Sequence, residues 1–104
     1  MRERLPNRRG SCVFEFECVG LLYRCSFSRF ADGRLAEIFC ESVKHGTHAD
    51  IASRDAAIAC SIALQYGANA DELRLALCRD SNGAAQGPLA TALDAILGGK
   101  AVQL

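Results

Sequence analysis

The chain has 104 residues, half of them hydrophobic, and twelve basic side chains balance twelve acidic ones. That length suits a single α+β domain over 1–104 and leaves no residues for a second core, while the balanced charge removes any global field that would steer the protein to nucleic acid or a membrane. No apolar run approaches the roughly 20 residues of a membrane span and the polar N-terminus lacks a signal-peptide core, so a cytoplasmic protein without membrane contact is expected.

Residues 1 to 10 carry Arg2, Arg4, Arg8 and Arg9 against Glu3 alone, with Pro6, Asn7 and Gly10 between them. They read as a basic extended arm. Alternation from Cys12 to Cys18 predicts a strand with Phe14 and Phe16 on one face and Val13, Glu15 and Glu17 on the other. Val19-Gly20 can turn the chain into a second strand, which places Leu21, Tyr23, Cys25 and Phe27 inward. Asp32-Gly33 signals a two-residue type I′ hairpin, whose central residues both need positive φ, and a third strand follows to about Glu41.

Two such loops fix a register. Arg24 then stands between Glu15 and Glu41 on the outer face, while Phe14 faces Cys25, Cys25 faces Cys40 and Phe27 faces Ile38. The same register leaves Phe30, Leu35 and Phe39 outward, a candidate homodimer surface.

Thr47 is placed to cap a long Ala-rich helix running to Tyr66, with Asp50 favourable to its dipole and Gly67 closing it. Its apolar stripe is expected to be Ile51, Ile58, Ile62 and Tyr66. Asn69 and Glu72 form a capping-box pattern for a second helix over about 70–79, with Leu73, Ala76 and Leu77 inward. Pro88 opens a third, whose stripe is Leu89, Leu93, Ile96 and Leu97, and Gly98-Gly99 ends it. Residues 100–104 are expected to be a frayed tail.

Six cysteines, at 12, 18, 25, 40, 60 and 78, contain no Cys-x-x-Cys and fit no common zinc spacing. They read as packing thiols, so neither a metal nor another cofactor is expected, and no catalytic residue set is apparent. The candidate binding chemistry is anionic. Arg8 and Arg9 can grip phosphate oxygens, and the loop at Lys44, Gly46, Thr47 and His48 opens the long helix where amides could meet a nucleotide or nucleic acid.

The segments Arg29-Phe-Ala-Asp-Gly-Arg-Leu-Ala-Glu-Ile-Phe-Cys40 and Asp55-Ala-Ala-Ile-Ala-Cys-Ser-Ile-Ala-Leu-Gln-Tyr-Gly67 resemble the TSCPD domain. That domain is found near the C-terminus of adenosylcobalamin-dependent ribonucleotide reductases and as small stand-alone proteins. The resemblance spans roughly Leu5 to Leu97, although the Thr-Ser-Cys-Pro-Asp motif of the family name is absent. It implies a three-stranded antiparallel meander packed on the long helix and followed by two shorter helices. It also implies a non-catalytic accessory module that binds nucleotide, nucleic acid or a reductase-like partner. The alternative is a small thiol or redox protein, or an enzyme component related to ribonucleoside-diphosphate reductase.

Overall fold

The computed structural model describes residues 1–5 and 10–98. Strands β1 (Cys12–Cys18), β2 (Leu21–Arg29) and β3 (Leu35–Ser42) form an antiparallel sheet in the order β1-β2-β3. Helices α1 (His48–Gln65), α2 (Ala70–Ala76) and α3 (Pro88–Gly98) follow. This is the α+β meander that the alternation and turn signals predict. The expected pairs are all present: Glu15 with Arg24, Arg24 with Glu41, Phe14 with Cys25, Cys25 with Cys40, and Phe27 with Ile38.

The first hairpin has the expected two-residue loop, whereas the second does not. Cys18 pairs with Leu21, so Val19 and Gly20 are the two central residues, and both have positive φ, 51° and 76°. A β-branched residue takes on that left-handed conformation only at a cost. At the second hairpin the Phe30 amide donates to the Arg34 carbonyl and the Gly33 amide donates to the Phe30 carbonyl. The loop is therefore the three residues Ala31, Asp32 and Gly33, with Gly33 at φ 95°.

An extra loop residue should slip the pairing, yet Ser28 still faces Glu37. A bulge restores it. Arg29 pairs with Leu35, leaving Ala36 as the added residue on β3. The bulge reverses the facing of β3 only on the hairpin-tip side of Ala36, at Leu35, and this corrects the expected outer patch. Leu35 joins the core cluster, Phe30 is buried beneath the Arg34 guanidinium, 4.5 Å from its ring, and Phe39 alone of the three remains exposed.

A second correction concerns α1. Ile51, Ile58, Ile62 and Tyr66, the expected inward stripe, are all exposed, whereas Asp50, Ser53, Ala57, Cys60, Ser61, Leu64 and Gln65 are buried. The reason lies in β3, the last strand of the sheet, whose outward backbone groups need partners. Helix α1 supplies them along its length. Gln65 donates to the Ala36 carbonyl freed by the bulge, Ser61 bonds both the amide and the carbonyl of Ile38, Ser53 donates to the Cys40 carbonyl, and Asp50 accepts from the Ser42 amide. The helix thus lies beside the sheet as a fourth element, held by a polar stripe at 50, 53, 61 and 65.

One flank of α1, with Cys60 and Leu64, reaches the core. There Tyr23, Cys25, Phe27, Ile38 and Cys40 of the inner sheet face join Leu89, Ala92, Leu93 and Ile96 of α3. The proline-led stripe is as the sequence predicts. Helix α1 ends in a Schellman motif, the Ala68 amide donating to Ala63 and the Gly67 amide to Leu64, with Gly67 at φ 102°. Asn69 then caps α2 by accepting from the Glu72 amide. That helix is shorter than expected, and Ala76 is exposed rather than inward. Asp94 of α3 accepts from Arg74 and Arg79 and ties α2 to α3.

Candidate docking surface

The outer sheet face is organised in rows that run across the strands. Val13 stands opposite Ser26 and Ser26 opposite Phe39, and Ile58 of α1 lines the same groove, about 470 Å³ in volume. Phe39 and Ile58 are 48% and 47% exposed, values more typical of a contact surface than of residues that finish a core. The neighbouring row reads Glu15, Arg24, Glu41 across the three strands, and Arg54 extends it on the helix. Arg24 donates to Glu15 at 3.0 Å, and Arg54 reaches Asp50 at 3.7 Å. Signs alternate along this row from acidic to basic, twice over.

Residue-type reasoning found Phe39 and missed Val13, Ile58 and Arg54. A signal was available. The buried stripe of α1 contains Asp50, Ser53, Ser61 and Gln65 at helical spacing, and two stripes cannot both face inward. A polar stripe opposite an unpaired strand edge outranks an isoleucine stripe, because an unsatisfied buried backbone group costs about 1–3 kcal/mol.

The loop before α1 is built differently from an open anion site. Thr47 caps the helix, its hydroxyl accepting from the Asp50 amide and donating to the Lys44 carbonyl. Gly46, at φ 79°, turns its amide toward the Asp50 carboxylate at 2.9 Å. The carboxylate of Asp50 therefore already meets that amide, together with the Ser42 amide at 3.0 Å. The Gly46 hydrogen bond first, then the Ser42 bond and the nearby Arg54 and His45 charges, hold Asp50 below the usual carboxylate range against the opposing effect of desolvation. Lys44, Gly46, Thr47 and His48 are exposed, and Arg8 and Arg9 lie outside the described residues.

The thiols divide by environment. Cys25 and Cys40 are cross-strand neighbours, 0% and 2% exposed, and burial pushes the Cys25 thiol far up and the Cys40 thiol up to about 12. Burial likewise raises Cys60 to about 11. None of these three is a thiolate near neutral pH, so none is poised as a nucleophile. Cys12 is half-buried and Cys78 is exposed, which corrects the expectation that every cysteine packs inside. Among the described residues, no group of three or more His, Cys, Asp or Glu side chains could hold a metal ion, and no helix is long and apolar enough to cross a membrane.

Over 71 residues, 68% of its length, the chain is 37% identical to a vitamin B12-dependent ribonucleotide reductase of Agrobacterium fabrum (strain C58 / ATCC 33970). It is related to a region of that reductase. The match covers 6% of the reductase's length, so the chain corresponds to a small part of the larger protein. No family model matches the chain, and no solved structure matches it.

Proposed function

We propose that this chain is a non-catalytic accessory module of the TSCPD type, and that it acts in a ribonucleotide reductase context by binding a protein partner through its outer face. The observation that carries the reading is the row of exposed Val13, Phe39 and Ile58 with half-buried Ser26 between them, flanked by alternating charges. Buried apolar centres with charged rims are the anatomy of protein interfaces. The protonated, buried state of Cys25, Cys40 and Cys60 supports a packing role for those thiols over redox turnover.

The test uses the purified chain with the vitamin B12-dependent ribonucleotide reductase of the same cell, followed by sedimentation velocity. Co-sedimentation is expected for the wild type and is expected to be lost for Phe39→Glu. The chain alone, given adenosylcobalamin, a dithiol and a ribonucleotide, should form no deoxyribonucleotide. Turnover by the chain alone would overturn the reading, as would a reductase that sediments unchanged in its presence.

A further inference from the structure

The order of residues along the two outer rows carries more than the presence of a patch. We infer that this face binds a second copy of the same chain, about a two-fold axis that runs parallel to the strands between β2 and β3. The inference rests on the proposed docking role of the outer face, and the second copy and the reductase then compete for that face.

The face is self-complementary. An isologous contact must match a surface to itself. When two copies meet face to face about an axis parallel to the strands, each row is laid over its own reverse. The charged row reads Glu15, Arg24, Glu41, Arg54. Reversed, it sets Glu15 against Arg54 of the second copy and Arg24 against Glu41, so that opposite charges meet at all four positions.

The apolar row obeys the same operation. Val13, Ser26, Phe39, Ile58 reversed sets Val13 against Ile58 and the small Ser26 against the large Phe39. Large meets small at the centre and aliphatic meets aliphatic at the ends, as interdigitating sheet faces require. An axis parallel to the rows gives the opposite result. Laid along the charged row it would place Glu15 on Glu15 and Arg24 on Arg24, laid along the apolar row it would place Phe39 on Phe39, and between the two it would set charged side chains against apolar ones.

Scale bounds the affinity. Strands ~4.8 Å apart, a rise of ~3.3 Å per residue and a helix ~10 Å wide give a face of roughly 600 Å² per copy, somewhat below the ~800 Å² of a standard interface. The dimer is therefore concentration-dependent.

The experiment is sedimentation velocity over a wide concentration series, joined to disulfide trapping in a Cys78→Ser background. The mass is expected to rise from one protomer to two, and Phe39→Glu and Ser26→Trp are expected to hold it at one. Val13→Cys with Ile58→Cys in the same chain should trap a covalent dimer under mild oxidation. Val13→Cys alone should not, because Val13 faces Ile58 of the second copy.

Trapping by Val13→Cys alone at the rate of the double variant would overturn the axis. A wild type that stays monomeric at every concentration, yet still co-sediments with the reductase, would overturn the dimer and leave the docking role standing. A monomer that binds no reductase would remove both. Circular dichroism of each variant separates lost contact from lost folding.

Discussion

Ser61 and Ile38 meet twice: the serine hydroxyl donates to the isoleucine carbonyl and accepts from its amide, each at 2.8 Å. One side chain thereby satisfies both backbone groups of a residue that is itself fully buried. Replacing Ser61 with alanine strands both, and is expected to destabilise the fold by about 1–3 kcal/mol in urea titration. Ile58→Ala and Ile62→Ala, measured on dilute protein, should each stay within about 0.5 kcal/mol of wild type because those side chains face solvent. Reversal of this ranking would show that the helix presents its isoleucines inward.

Val19 holds φ 51° at an exposed turn where its side chain finishes no core. Left-handed backbone costs an ordinary L residue roughly 1–2 kcal/mol, and asparagine tolerates it far better. Val19→Asn should therefore raise stability by about 1 kcal/mol, read as a higher urea midpoint with an unchanged slope. A lower midpoint would exclude the type I′ geometry.

Asp50 joins the loop to β3, and its hydrogen bonds favour the charged form, so its folded pKa is depressed. The linked stability is fully present above the unfolded carboxylate value of about 3.9 and is lost as pH falls through the lower folded value. Asp50→Asn removes that component. Wild type is expected to exceed the variant in stability near neutrality, and the gap should narrow in acid. A gap that is constant with pH would mean that Asp50 is not ionised in the fold.

Thiol accessibility gives a fourth check. Cys78 is exposed, whereas Cys18, Cys25, Cys40 and Cys60 are buried. A chromogenic disulfide reagent at mildly alkaline pH should show a rapid phase that Cys78→Ser abolishes, with the four buried thiols reacting only after denaturant is added. Rapid labelling of Cys25 or Cys40 would contradict the packing of the inner sheet face.

Local rules carried the architecture well. Alternation and turn residues located all three strands, and the register of Cys25 with Cys40 follows from counting. The hairpin tip shows why counting can succeed for the wrong local reason. Residues 29 to 36 can be divided as a two-residue loop with regular pairs, or as a three-residue loop with a bulge at Ala36, and both leave Ser28 opposite Glu37. Only tertiary context separates them. In the second arrangement Leu35 is buried and the Ala36 carbonyl meets Gln65, two gains invisible to turn preferences.

The orientation of α1 was hidden for a related reason. Hydrophobicity ranks Ile58 and Ile62 above Ser61 and Gln65, but it takes no account of the bonds missing along β3. For the candidate site, Phe39 was legible from strand parity alone. Its partners on the helix became visible only once the helix was turned.

The polar stripe of α1 has a consequence for the protein at high concentration. A bare strand edge is a template on which other chains can polymerise, and on the β3 side the template is masked by Gln65, Ser61, Ser53 and Asp50. Partial detachment of one helix would uncover that edge while the meander stayed intact. Such a species would be native enough to persist and sticky enough to seed fibres. The four side chains that orient α1 thus also guard against aggregation, and weakening any of them should shorten the shelf life of concentrated protein before it visibly alters the fold.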